Sequence, residues 1–266
     1  MPRVANKTVE TGAISVLPKQ REFIEAGERE VLYSGAYGAG KSRALCLKLV
    51  ARVSGRPRAV EGLCRKHLVT LRATTLRTLL EPDGDLPPVL PLGSYIHRKT
   101  DKTIQLYGGG RIEYFGIDDE TKIGSRQFTG VAVDEATELT ERDWRQLRGR
   151  LRARCAGLPQ QLYAACNPHS PLHHLAVRFG FAGSPPARGC RAIVTCTADN
   201  WFLPDEYVAD LQTFEGLARA RYVLGQWVGS EGLVYDRWSR AEFVRERAAA
   251  WRRIAIGVDE GYVNPA

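Results

Sequence analysis

Val31-Leu32-Tyr33-Ser34 runs directly into Gly35-Ala36-Tyr37-Gly38-Ala39-Gly40-Lys41-Ser42, and apolar residues at helical spacing follow as far as Val53. The order is strand, glycine loop, helix. Gly35-x-x-x-x-Gly40-Lys41-Ser42 fills every fixed position of the phosphate-binding loop. Gly35, Gly38 and Gly40 let backbone N–H groups wrap phosphates, Lys41 reaches the β- and γ-phosphates, and the Ser42 hydroxyl binds Mg²⁺. The helix that follows aims its positive end at the same anion. Arg43, the next residue, is a further nucleotide-binding candidate.

Outward from this loop, short apolar runs alternate with helical patterns. Leu17-Pro18-Lys19-Gln20 opens a helix through Ala26, after a polar arm over residues 1–16. Val60–Cys64 reads as a second strand, followed by a helix over Leu68–Leu80 and a Pro/Gly-rich loop over 81–93. Thr103–Tyr107, Gly108-Gly109-Gly110 and Arg111–Phe115 form a hairpin pattern. Val131–Val133, Gln161–Cys166 and Arg191–Cys196 read as strands, and Glu141–Arg154, His173–Phe179, Pro204–Leu211 and Leu217–Leu224 as helices. Such alternation predicts an α/β fold with a parallel sheet covered on both faces.

The remaining chemistry sits at strand ends. Val131-Ala132-Val133 terminates in Asp134-Glu135, which supplies a Walker-B-type aspartate for Mg²⁺ and an adjacent general base for the attacking water. Without the phosphate loop the pair would read as solvated carboxylates. Cys166-Asn167-Pro168 ends the next strand; Asn167 either senses the γ-phosphate and orients water or belongs to an Asn-Pro turn. Gln20 has two readings as well, adenine recognition through its amide edges or a surface position on a helix. An oligomeric ATPase also needs a catalytic arginine. Arg126, shortly before the Asp134-Glu135 strand, is the candidate, with Arg142, Arg145 and Arg43 as rivals. Arg145, Arg148 and Arg152 fall at i, i+3 and i+7, which on a helix over 141–154 would share a face that either lines a DNA path, meets a neighbouring subunit or is simply solvated.

Composition bounds these readings. The 266 residues suffice for a core without disulfide or metal staples, as one α/β domain or one domain plus part of another. With 44% apolar and 26% charged residues the chain is of ordinary globular type. No run of 18 apolar residues is present, and Met1–Lys7 has no secretory h-region. Six cysteines without C-x-x-C spacing predict buried, reduced thiols in a cytosolic protein. Cys64-x-x-His67 and Cys166-x-x-His169 lack the paired framework of a zinc site. Lys and Arg number 38 against 30 Asp and Glu, and the net charge of +8 favours a polyanionic partner.

Taken in order, these pieces are similar to the large terminase subunit of tailed bacteriophages. They are Leu17–Gln20 as an adenine motif, Gly35–Ser42, Cys64-Arg65-Lys66, Val133–Glu138 and Cys166-Asn167-Pro168. Asp199-Asn200-Trp201-Phe202-Leu203-Pro204, Leu224-Gly225-Gln226-Trp227 and Glu231–Tyr235 complete the series. The resemblance implies a P-loop NTPase of the ASCE type, with a mostly parallel central sheet flanked by helices and a small C-terminal helical lid. It implies an ATPase core over 1–197, a lid over 198–228, and over 229–266 a linker with the first strand of an RNase-H-like nuclease. Ile256–Gly261 resembles that strand, with Asp259 matching a nuclease metal ligand and Glu260 where an aromatic is frequent. Ending at Ala266, the chain is expected to lack a competent nuclease, which belongs to a longer protein. The resemblance further implies ATP and Mg²⁺ as cofactors and translocation of double-stranded DNA into a procapsid. Its expected partners are the portal protein, the small terminase subunit and further copies in a ring, a pentamer, with the isolated ATPase half monomeric and slow. The expected location is the cytoplasm of the infected host, at the portal vertex, with no membrane role. A helicase-like or other nucleic-acid-remodelling P-loop ATPase shares the ATP motifs and is the alternative.

Overall fold

The computed structural model describes residues 15–118 and 126–229. The chain divides into two units, Met1–Ser230 and Glu231–Ala266. The second unit, with Asp259 and the nuclease-strand expectation, lies outside the described residues.

In the first unit the strands are β1 (Glu30–Gly35), β2 (Val60–Arg65), β3 (Tyr95–Arg98), β4 (Thr103–Leu106), β5 (Arg111–Gly116), β6 (Gly130–Val133), β7 (Gln161–Cys166) and β8 (Cys190–Thr195). They form one eight-stranded sheet in the order β3-β4-β5-β2-β6-β7-β1-β8. All pairings from β5 to β8 are parallel, and β3 and β4 extend the sheet antiparallel. β1, β6 and β7 are buried along their whole length, which is why they read as continuous apolar runs rather than alternating ones.

Helices cover both faces. Along β1, Val31 and Tyr33 enter one core with residues of α1 (Pro18–Glu25), α2 (Lys41–Val53), α3 (Leu68–Ala73) and α4 (Thr75–Leu80). Leu32, one residue out of phase, enters the other core with Trp144 and Leu147 of α5 (Glu141–Gly149) and with Leu175 and Phe179 of α6 (His174–Phe179). α7 (Asp205–Gln212) and α8 (Gly216–Tyr222) follow β8. Among the described residues no helix is long and apolar enough to cross a membrane. All six cysteines are free; Cys46, Cys64, Cys166 and Cys190 are buried and Cys155 and Cys196 half-buried.

Three expectations change. The single helix over Leu68–Leu80 is two helices broken at Thr74, whose backbone sits at φ −120° and ψ −86°. Its hydroxyl bonds back to Thr70 O at 2.8 Å, the local competition that Thr offers a helix. The helix expected to reach Arg154 ends at Gly149. Arg152 therefore lies beyond the helix, and no Arg145–Arg148–Arg152 face exists. Arg148 instead lies 2.9 Å from the buried carboxylate of Glu30, and Arg145 lies 3.8 Å from Glu141. β3 is the third change, a four-residue edge strand missed because it is short and none of its residues is fully buried.

Candidate nucleotide site

The C-terminal ends of β1, β6 and β7 open on one cavity of about 830 Å³. Parallel α/β sheets bind ligands outside this end, and the volume suits a small-molecule ligand.

β1 feeds the loop Ala36–Gly40 into α2. Gly38 and Gly40 sit at φ +71° and +68°, the left-handed region that side chains avoid. A Cβ on Gly40 would fall 2.5 Å from Gln20 Nε2, so the position is closed by packing as well. Lys41 Nζ spans the loop and donates to Ala36 O at 2.6 Å. Burial draws its pKa below the usual lysine value, while Glu135, Cys166 and Asp134 pull the other way. The N-terminus of α2 faces the cavity through Lys41, Ser42 and Arg43.

Asp134 is buried, and Ser42 Oγ donates to its Oδ1 at 3.5 Å. Its Oδ2 accepts a short hydrogen bond from the Thr75 hydroxyl of α4. Burial pushes the Asp134 pKa up, against the Thr75 bond and the nearby Arg65 charge. Glu135, which lines the cavity, has φ 46° and ψ 53°. A glutamate in that region costs on the order of 1–2 kcal/mol and is held there by its surroundings. Burial first, then Asp134, raises its pKa, which is the direction a general base needs.

Asn167 lines the same cavity from the end of β7, and its Oδ1 is buried without a hydrogen-bond partner among the described residues. Leaving such a group unpaired costs about 1–3 kcal/mol, so this oxygen has an acceptor valence to offer on the cavity side. Gln20 also reaches the cavity. Its Oε1 accepts from Leu17 N at 3.0 Å and its Nε2 donates to Gly40 O at 3.1 Å. One lone pair and one N–H remain on that amide. Arg43 donates to Pro87 O at 3.1 Å across the cavity wall. Arg126 is not among the cavity residues; it lies 3.5 Å from Glu113 with its guanidinium over the Phe115 ring at 5.1 Å.

The structure brings to the site residues to which the sequence motifs gave no individual role. Tyr37 of the loop stacks on Tyr222 at 4.4 Å between centroids and 9° between planes. Its N–H donates to Tyr222 O at 2.8 Å, and its carbonyl accepts from Thr197 Oγ1 at 3.0 Å. Asn200 Nδ2 donates to Gly38 O at 2.6 Å, and Phe202 and Tyr207 line the cavity mouth. Trp227 Nε1 donates to Ser34 Oγ at 2.9 Å. Asn200, Phe202 and Trp227 lie in the C-terminal series noted above, but Thr75 and Tyr37 had no local signal. No cluster of three or more His, Cys, Asp or Glu suited to a metal occurs among the described residues, which include Cys64, His67, Cys166 and His169.

One strand, β7, separates the loop strand β1 from the carboxylate strand β6, and the polar end of β7 points Asn167 at the same cavity. This order and site define a P-loop NTPase of the ASCE type. The family model for the phage terminase large subunit matches residues 28–224. The chain belongs to that family. A search of curated proteins gave no match. Among solved structures, it is similar to the large terminase of a thermophilic bacteriophage, with TM-score 0.66 and 19% identity over 86% of this chain and 58% of that one. The same phage's terminase in complex with ATP-gamma-S matches with TM-score 0.63 and 21% identity, over 85% of this chain and 56% of that one. The ATPase domain of the Thermus phage P74-26 large terminase matches with TM-score 0.58 and 10% identity, over 80% of this chain and 94% of that one. At these identities the likeness is one of fold. The chain spans 58% of the length of the thermophilic phage's terminase.

Proposed function

We propose that this chain is the ATPase motor of a DNA-packaging terminase, driving double-stranded DNA into a procapsid by ATP hydrolysis. The observation that carries the reading is the meeting of Lys41, Ser42, Asp134, Glu135 and Asn167 at one end of the sheet, in a chain of the terminase family.

Each group has one task. The loop N–H groups and Lys41 hold the β- and γ-phosphates. Ser42 and Asp134, whose oxygens already approach each other, are the residues that would hold Mg²⁺. When bound, the ion neutralises charge developing on the β- and γ-phosphate oxygens. Glu135 takes a proton from water as the water oxygen attacks the γ-phosphorus; the bond to the β–γ bridging oxygen breaks, and ADP leaves with that electron pair. Asn167, with its free amide oxygen, orients the water or reads the γ-phosphate. The remaining amide valences of Gln20 recognise adenine, and Arg43 contributes to the nucleotide wall. Arg126, standing outside its own cavity, supplies the catalytic arginine of the next subunit in a ring, a pentamer on the portal.

In this reading residues 198–228 act as the lid. Basic side chains hold the DNA backbone without reading its sequence. Asp259 belongs to a nuclease carried by the longer protein, and the small terminase subunit completes the machine, in the host cytoplasm at the portal vertex. Glu135→Gln tests the core of it. The variant should bind ATP as before and lose on the order of 10²- to 10⁴-fold in hydrolysis. Hydrolysis at the unmodified rate would overturn the base assignment. Stimulation by portal-bearing procapsids, rather than by nucleic acid alone, separates packaging from helicase-like remodelling.

A further inference from the structure

Arg65, at the end of β2, has no task in the mechanism above. Its Nε and Nη2 donate to Glu138 Oε2 and Oε1 at 3.0 and 2.6 Å, a forked pair, and its Nη1 donates to Thr74 Oγ1 at 3.3 Å. These partners stand on the two sides of the carboxylate corner. Glu138 closes the short turn Ala136–Glu138 that springs from Glu135, and its N–H donates to Glu135 O at 2.9 Å. Thr74 is the break between α3 and α4, and the next residue, Thr75, gives its hydroxyl to Asp134.

We propose that Arg65 is a positioning residue for ATP hydrolysis, setting Glu135 through Glu138 and Asp134 through the Thr74–Thr75 break. The inference rests on the reading of Glu135 as general base. Its physical basis is the backbone of Glu135. A non-glycine residue stays in the left-handed region only where its surroundings over-determine it. Here the turn that follows is tied by a planar fork to the end of β2, a rigid strand between β5 and β6. A guanidinium can satisfy both carboxylate oxygens and a third acceptor at once, whereas an ammonium is a point charge without that fixed geometry. The pair is partly exposed, with side chains 16% and 35% accessible, and pairs of that kind add little to global stability. What it supplies is the geometry of the corner.

The test compares the full chain with Arg65→Ala and Arg65→Lys, measuring the single-turnover rate of ATP hydrolysis, the Kd of a fluorescent ATP analogue and the thermal midpoint. Both variants should lose on the order of 10- to 100-fold in rate, the scale of a misplacement near 1 Å. The Kd and the midpoint should stay close to those of the unmodified chain. Arg65→Lys keeps the charge and secures the test should Arg65→Ala fail to fold. An unmodified rate in either variant, or loss of nucleotide binding in step with rate, would overturn the positioning role. Glu135→Gln is measured alongside. If it hydrolyses ATP normally, the base reading has failed; if it is inactive while both Arg65 variants are normal, only the positioning inference has.

Discussion

The two ends of the sheet both bury charge, and they treat it in opposite ways. At the N-terminal end of β1, Glu30 accepts from Arg178 at both oxygens and from Trp144 Nε1 at 2.8 Å, with Arg148 also 2.9 Å away. At the N-terminal end of β2, Glu61 is paired with Arg52 at 3.0 Å and accepts from the Tyr163 and Thr129 hydroxyls. Burial there is more than offset, and the Glu30 pKa is held below the usual carboxylate value. At the C-terminal ends of the same sheet, Asp134 and Glu135 form no direct ion pair with a cation among the described residues, their pKa values are raised by burial, and Asn167 Oδ1 is unpaired. A buried charge costs free energy unless it is matched. One end has its charges matched and serves as scaffold. The other leaves Asp134 and Glu135 without a direct ion pair and Asn167 Oδ1 without a partner among the described residues, with valences available to a ligand.

The largest effect that tests this contrast comes from outside the cavity. If the unmatched end is completed by a neighbouring subunit, Arg126→Ala should lower hydrolysis in assembled rings on the order of a thousandfold or more. Mixing Arg126→Ala subunits with Glu135→Gln subunits should then restore part of the rate, because each supplies what the other lacks. A fully active Arg126→Ala ring would move the role to Arg142 or Arg145. Mixed rings that stay inactive would place Arg126 in its own subunit's fold.

At the matched end the readout is stability. Glu30→Ala leaves Arg178 and Arg148 facing an empty position and should destabilise by about 3–5 kcal/mol, the scale of breaking a buried pair. Urea unfolding measures it. The sign with pH is fixed by the lowered folded-state pKa. The contribution of Glu30 is fully present above the unfolded value of 4.5 and is lost as pH falls through the folded value. The gap between Glu30→Ala and the unmodified chain should therefore be wide at pH 7, begin to shrink below pH 4.5 and close as pH falls through the lower folded value. A gap independent of pH would mean that packing, not charge, is what Glu30 contributes.

How much of this the sequence carries depends on the range of the interaction. Gly35–Ser42 and Val131–Glu135 are contiguous, so the loop, the helix after it and the carboxylate strand are legible from spacing alone. The alternation of elements likewise implies a mostly parallel sheet. Arg65 and Glu138 are 73 residues apart and Thr75 and Asp134 are 59 apart, so no local pattern joins them. β3 escapes notice because Tyr95-Ile96-His97-Arg98 is only four residues long at the sheet edge, with Tyr95 half-buried and Ile96 exposed, too short a run to show an alternating pattern. The arginine run misled because it continues past Gly149, where the helix stops. Charge spacing carries no information about where a helix ends.

The smallest effect is the most direct measure of what the open end costs. Glu135 carries two penalties, a left-handed backbone at φ 46° and a carboxylate raised in pKa by burial beside Asp134. Glu135→Asn lowers the first, because asparagine is among the side chains most tolerant of that region. It removes the second by replacing the charge with a neutral amide. Unlike glycine, asparagine adds no freedom to the unfolded chain that would offset the gain. Glu135→Asn should therefore raise stability by about 1 kcal/mol while hydrolysis collapses, the exchange expected where a site is kept unmatched for function. Thermal and urea unfolding of the nucleotide-free protein read the gain without any contribution from ligand. A loss of stability would mean that Lys41 and Arg65, whose charges favour the ionised form of Glu135, already compensate it, and the contrast between the two ends would then be one of geometry rather than of energy.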